Sequence, residues 1–536
     1  PFILVEYCHA MGNGPGDLED YWEIILADEH ACGGFVWEWC DHTVLAGHDE
    51  AGREIHLYGG DHGEAVHDGN FCVDGLVAPD RTPHAGLLEL KNVQRPARVV
   101  GYDQERGLVT LRNDLDFTDL DQYVRLSYEV RCDGAIVDSG PLELPGPVPP
   151  HSTVTLSCAP AVPDAGRCHL LITSRLRQQV PLLEPGHELG FDEIPLANAD
   201  PRHRAVAALG PVAEALEASA DAAARTNGAG GGAGTADAVD AVDAVQDGCE
   251  ATLTGGDLTV VVDTRSGLPR SLRVGDRELL ERPMELNIWR APTDNDRHIR
   301  LQWERAGYDR AGAQACSTRI IRRRGAVALH AEMSVAAAAL QPALRVHAIW
   351  TVTESGELAV NLRARRSEGF PCLPRFGLRL FLPNSMHQVA YYGLGPGESY
   401  VDKRRSCHHD EFRTTVAELH EGCIRPQESG SRADCDYVAL TDGALELTAV
   451  GLRPFSFNVS AYTQEELTET AHDAELSPCG STVLCLDGAM AGIGSASCGP
   501  ELRPDYRVDK DALGLDLILL PLISSPISNS AHNEVN

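Results

Sequence analysis

Glu6 closes the apolar run Phe2-Ile3-Leu4-Val5, and His9 follows three residues later in the stretch Tyr7-Cys8-His9-Ala10-Met11-Gly12-Asn13. A short apolar run bounded by turn signals predicts a strand buried on both faces, as in a parallel sheet. The carboxyl ends of such strands are where parallel α/β architectures collect their chemistry. A carboxylate placed there is costly unless it is paired or used. Glu6 is therefore either an ion-paired strand end or a functional acid. A second apolar run, Gly33-Gly34-Phe35-Val36-Trp37-Glu38-Trp39, ends in aromatics. On periodicity alone Trp37 is a core residue, and a lone histidine such as His9 is a hydrogen-bonded structural group.

The elements that must carry these residues follow from pattern. Gly12 to Gly16 makes a turn, with Asp17 placed to cap a helix. Leu18, Tyr21, Trp22, Ile25 and Leu26 recur at helical spacing and give that helix one apolar face. Strand, helix and strand then form a right-handed parallel crossover. A long loop carries Tyr58-Gly59-Gly60-Asp61 and Asn70-Phe71-Cys72-Val73-Asp74-Gly75, and Pro83 to Lys91 reads as a closing helix. Two such units cannot close a barrel, which needs eight. An open pair of parallel strands leaves apolar faces and edges uncovered. Residues 1–97 are thus expected to be the last two units of a TIM barrel whose earlier units lie upstream.

From Arg98 the texture changes to alternating polarity, in Val109-Thr110-Leu111-Arg112, in Tyr123 to Val130, in Val154-Thr155-Leu156 and in His169 to Thr173. Pro- and Gly-rich joints separate these runs, which predicts an Ig-like antiparallel β-sandwich over 98–200. Residues 201–248 include Gly228 to Gly234 and an Ala-Val-Asp repeat, and they read as a low-complexity linker or insertion with a short helix at Val212 to Ala220. Residues 249–523 are β-rich and large enough for a big terminal β-sandwich, and 524–536 read as a disordered tail. The expected fold class is multidomain and mostly β.

Composition is ordinary for a globular protein, 43% hydrophobic and 23% charged over 536 residues. The net charge of −34 argues against a nucleic-acid partner and against anionic membrane surfaces. The 16 cysteines include no C-x-x-C pair, so a zinc ribbon or thioredoxin-type site is not expected and reduced thiols are the default. No run of about 18 apolar residues occurs, and no signal peptide is visible. A cytoplasmic location is the expectation.

Glu6-Tyr7-x-His9-Ala10-Met11-Gly12-Asn13 and Gly33-Gly34-Phe35-Val36-Trp37-x-Trp39 resemble the long β-galactosidases of glycoside hydrolase family two. Tyr58 to Asp61, Phe71 to Val77 and Asp80-Arg81-Thr82-Pro83-His84 follow in the family's order. So do Arg290-Ala291-Pro292-Thr293-Asp294-Asn295-Asp296, Gly393 to Pro396, Phe457 to Ser460 and Gly492 to Ser495. The resemblance implies a five-domain parent of which this chain is the carboxyl-terminal portion. It implies a retaining enzyme that hydrolyses terminal β-D-galactosides of the lactose type, and a homo-oligomer when complete.

Residue by residue, the resemblance implies that Glu6 is the nucleophile, and that its acid/base partner lies on an earlier strand outside this chain. Glu38, Asp41, Asp61 and Asp68 are the nearby spare carboxylates, and none matches that role. His9 resembles the contact to the sugar's 6-hydroxyl and Trp37 the aromatic platform beneath galactose. Phe71, through its carbonyl, and Asp74 align with a sodium site. The implied magnesium has its ligands upstream. Cys498 stands where relatives place a tryptophan against the second sugar, and a thiol offers no such stacking surface. The Arg290 to Asp296 loop resembles a mobile element at the mouth of the site. Three alternatives stay open: an inactive fragment that complements a missing half, a carbohydrate-binding β-sandwich protein without hydrolytic function, and a related glycosidase with another sugar preference.

Overall fold

The computed structural model of the chain describes residues 1–210 and 242–523. The sequence's first strand, β1 (Phe2–Tyr7), pairs in parallel with β2 (Ala31–Val36) across helix α1 (Leu18–Ala27), as the pattern predicts. These two strands make a sheet of their own. The expected burial of β1 on both faces does not hold. Phe2 is 61% and Val5 77% exposed, because a strand is buried by neighbours and β1 has only one. Helix α1 buries Leu18 and Ile25, and Trp22 donates its indole N–H to the Tyr7 hydroxyl at 2.9 Å. Asp17 occupies the N-cap position at φ 61° but makes no side-chain cap bond. It is held by its backbone N–H, which donates to the Asp402 carbonyl at 3.1 Å.

A hairpin of β3 (Val44–His48) and β4 (Glu54–Leu57) precedes helix α2 (Ala85–Val93). The leucines do not define the buried side of α2: Leu88 is exposed, while Glu89 and Asn92 are buried. Glu89 accepts from the Arg404 and Ser406 backbone amides, and Asn92 donates to the Phe191 and Arg405 carbonyls. The helix therefore docks through polar groups on the two following domains.

Seven strands between Ala97 and Pro195 form a four-stranded and a three-stranded antiparallel sheet, enclosing Val109, Leu111, Val130, Leu170 and Ile172. Beyond it, a five-stranded sheet from Val242 to Glu278 packs on a twelve-stranded antiparallel sheet from Arg282 to Ile523, and the two share one core. Val242–Asp247, read as linker, is a strand in register with Glu250–Gly255. Val242 and Ala244 alternate inward and are buried, so repetitive sequence here still pairs and packs. A short helix, Arg204–Ala208, lies at the other end of the same span. The helix expected at Val212 to Ala220, most of the linker and the 524–536 tail lie outside the described residues. All 16 cysteines are free. Among the described residues no helix is long and apolar enough to cross a membrane.

Candidate functional site

The loops after β1 and β2 and the segment around Asp74 are joined by one backbone web. Ala10 donates to the Trp37 carbonyl at 2.7 Å, Glu38 to Asp74 at 2.8 Å, and Leu76 back to Glu38 at 2.9 Å. Gly12 donates to Val73 at 3.4 Å and His42 to Cys72 at 2.7 Å. This web brings Glu6, His9, Trp37, Phe71 and Asp74 to one end of the parallel pair. Glu6 is exposed there. Trp37, at 45% exposure, presents an open ring face and is not a core residue.

His9 is buried beside Asp74, with Nε2 3.5 Å from a carboxylate oxygen, and its ring lies 6.1 Å from that of Phe71. Burial lowers the His9 pKa, opposed by the charge of Glu6, so the imidazole is neutral at pH 7. Asp74 is pushed up to about 7, first by burial and then by the neighbouring Glu38 carboxylate, while a bond from the Trp37 indole opposes the shift. One oxygen of Asp74 is buried with no hydrogen-bond partner. A buried, unpartnered carboxylate oxygen is the hard donor that suits a small cation.

Cys498 is exposed at the rim, electrostatically coupled to Glu6 and Asp74. Next to it Arg297 donates to the Ser497 carbonyl at 3.4 Å and lies over the Phe71 ring at 4.6 Å. The cleft beside Phe71, about 890 Å³, is lined further by Met11, Asp68, Asn70, Asp294 and Arg425. Arg297 and Arg425 have no signal in sequence, because they lie hundreds of residues from Phe71 along the chain. The Arg290–Asp296 loop is firmly held. Arg290 is wholly buried and clasps Asp296 in two bonds, and the Thr293 backbone N–H donates to the same carboxylate at 3.0 Å to close the turn.

The spare carboxylates are mostly engaged elsewhere. Asp41 accepts from the Gly75 amide and His84. Asp61 accepts from the Tyr58 amide and from His472 of the terminal sandwich. Glu38 faces Asp74, and Asp68 is exposed in the cleft wall.

A separate cluster, His169, Glu193 and His409, has the donor set of a metal site. The two rings stack at 4.3 Å with an interplanar angle of 1°. A metal lying in the plane of one ring would sit off the lone pair of the other. His409 is instead held by carboxylates on both nitrogens, Glu193 at 2.7 Å and Asp434 at 3.0 Å, and its pKa is raised. The cluster is a histidine–carboxylate interlock between the Ig-like and terminal sandwiches.

The architecture is thus a parallel strand–helix–strand unit with an acid, a histidine and an open tryptophan at its strand ends, followed by two β-sandwiches. Family models agree. Residues 1–99 match "Glycosyl hydrolases family 2, TIM barrel domain", 109–197 match "Beta-galactosidase, domain 4", and 254–519 match "Beta galactosidase small chain". The chain belongs to the β-galactosidases of glycosyl hydrolase family 2. It is 37% identical over 512 residues to a β-galactosidase of Actinobacillus pleuropneumoniae, covering 95% of this chain and 46% of that protein. It is 35% identical over 511 residues to one of Staphylococcus xylosus, covering 95% and 48%. The chain thus spans about half the length of the curated relatives it matches. Among solved structures, a galactose 1-epimerase from Lactobacillus acidophilus NCFM aligns with 53% of this chain and 99% of its own, at TM-score 0.32 and 8% identity. That likeness carries no argument.

Proposed function

We propose that this chain supplies the nucleophile side of a retaining β-galactosidase active site. The observation that carries the reading is the shared strand end: Ala10, next to His9, bonds to the Trp37 carbonyl, Trp37 bonds back to Tyr7, next to Glu6, and the Glu6 charge acts on His9. Glu6, exposed and free to approach a sugar, attacks the anomeric carbon and forms a galactosyl-enzyme intermediate that water then releases. Neutral His9 holds the 6-hydroxyl without adding charge, and the Trp37 face receives the apolar side of galactose. Asp74, with the Phe71 carbonyl, would hold a sodium ion, which when bound supplies positive charge and fixed oxygen geometry beside the sugar. Retaining chemistry needs a second carboxyl about 5–5.5 Å from the first. No carboxylate of the matched motifs takes that role, so the acid/base and any magnesium ligands are assigned to residues outside this chain. The substrate is a terminal β-D-galactoside of the lactose type, and the working form a cytoplasmic homo-oligomer.

The test is complementation. Combined with the barrel-forming half of a family member, the chain should hydrolyse nitrophenyl β-galactoside with retained anomeric configuration. Alone it should lack activity, since loss of a general acid costs about 10²–10⁴-fold. Glu6→Gln in the complemented enzyme should lower kcat by about three or more powers of ten while substrate still binds. Near-normal kcat in a folded Glu6→Gln enzyme would end the assignment.

A further inference from the structure

The loop that carries His9 is held on its far side by a different domain. Asn13 lies four residues beyond His9 and seven beyond Glu6, and it is 5% exposed. Its backbone N–H donates to the Gln427 side-chain carbonyl at 3.1 Å. Its side-chain amide donates to the Glu428 carbonyl at 2.8 Å and to the Tyr400 hydroxyl at 3.3 Å. Both of its oxygens accept from Lys403 Nζ, the backbone carbonyl at 3.0 Å. The third ammonium hydrogen goes to Glu398, whose other carboxylate oxygen accepts from the Gly430 amide at 2.8 Å. Lys403 and Glu398 are each 1% exposed. Three donors meet three acceptors, two of them on one loop residue.

This clamp stands against a strand with little else to steady it. β1 is exposed on most of its length up to Glu6. Beyond Asn13, Gly16 donates to the Gly494 carbonyl at 2.8 Å, again in the terminal sandwich. A buried lysine is retained at a desolvation cost, and its best-attested use is to specify a register. A displacement of about 1 Å in a reacting group can cost about 10²-fold in rate.

Resting on the reading of Glu6 and His9 above, we infer that Lys403 of the terminal sandwich is a positioning residue for the catalytic loop, acting through Asn13. The variant that tests this is Glu398→Gln/Lys403→Met, which removes both buried charges together and leaves neither unpaired. In the chain as it stands, amide hydrogen exchange at residues 8–16 should quicken about tenfold or more, while residues 344–366 keep their protection. In the complemented enzyme kcat should fall about 10- to 100-fold with a smaller change in KM. Combining the variant with Asn13→Ala should cost less than the sum of the two losses, because the bond from Lys403 to the Asn13 side-chain oxygen is lost in both.

Unchanged exchange at 8–16 in the folded variant overturns the proposal, as do additive losses with Asn13→Ala. A loosened loop with unchanged kcat also overturns it where Glu6→Gln still abolishes turnover. If Glu6→Gln has no effect either, the reading of Glu6 is what fails.

Discussion

Two apolar strands of like texture reach opposite fates. Phe2-Ile3-Leu4-Val5 leaves Phe2, Ile3 and Val5 half or more exposed, whereas Leu378-Arg379-Leu380-Phe381-Leu382 is buried throughout. The first strand has one hydrogen-bonded neighbour. The second lies between Arg282–Asn287 and Ser481–Met490 in a twelve-stranded sheet, with a shared core beneath. Apolar runs select strands; the number of neighbours decides whether they are buried. The β1–β2 sheet is an open face, and the terminal sandwich is a finished one.

The largest effect that could break this contrast is on stability. Trp350 is fully buried and its indole donates to the Gly267 carbonyl at 2.8 Å, linking the two sheets of the terminal domain. Trp350→Ala should cost about 3–5 kcal/mol in urea unfolding. Phe35→Ala in β2, at 65% exposure, should change stability by no more than about 0.5 kcal/mol. A comparable loss at Phe35 would mean that this face is covered in solution and would dissolve the comparison.

The next effect sharpens the buried side through pH. Burial, against the pull of Glu193, lowers His169 to about 4. Between pH 6.5 and 4 the unfolded chain therefore binds a proton that the native chain does not, so stability falls as pH drops through that window, by about 3 kcal/mol at most. His409 has the opposite sign. Its pKa is raised against burial by bonds to Asp434 and Glu193, so its contribution is full below 6.5 and is lost as pH rises through its folded value. His169→Phe keeps a ring stacked over His409 and should flatten the acid limb only. An unchanged acid limb by denaturation at pH 4–6.5 would remove His169 from the account.

The smallest effect concerns the open face. Cys498→Trp would place an aromatic at the rim beside Arg297, and it should tighten acceptor-sugar inhibition of the complemented enzyme by about 0.5–1.5 kcal/mol. No change in the acceptor inhibition constant counts against Cys498 at that subsite.

Much of the local order was legible in the chain. The strand–helix–strand opening, the helical stripe Leu18–Tyr21–Trp22–Ile25 and the alternating strands of both sandwiches appear where their periodicities place them. The misreadings have one origin. The exposure of Phe2 and Val5 and the strand Val242–Asp247 inside a repetitive stretch both depend on what lies opposite them. Periodicity records a residue's own preference and carries no information about the partner.

The same division holds at the candidate site. The family was legible in local, compact motifs, and the resemblance they carry named Glu6, His9, Trp37, Phe71, Asp74 and Cys498 as candidates. Tertiary structure decided that Asp74 lies beside His9 and Glu38, that Arg297 covers Phe71, and that Lys403 holds Asn13 from 390 residues away. Hydrogen bonds and desolvation act over a few ångströms of space whatever the distance along the chain, so only the folded chain reveals which groups they join.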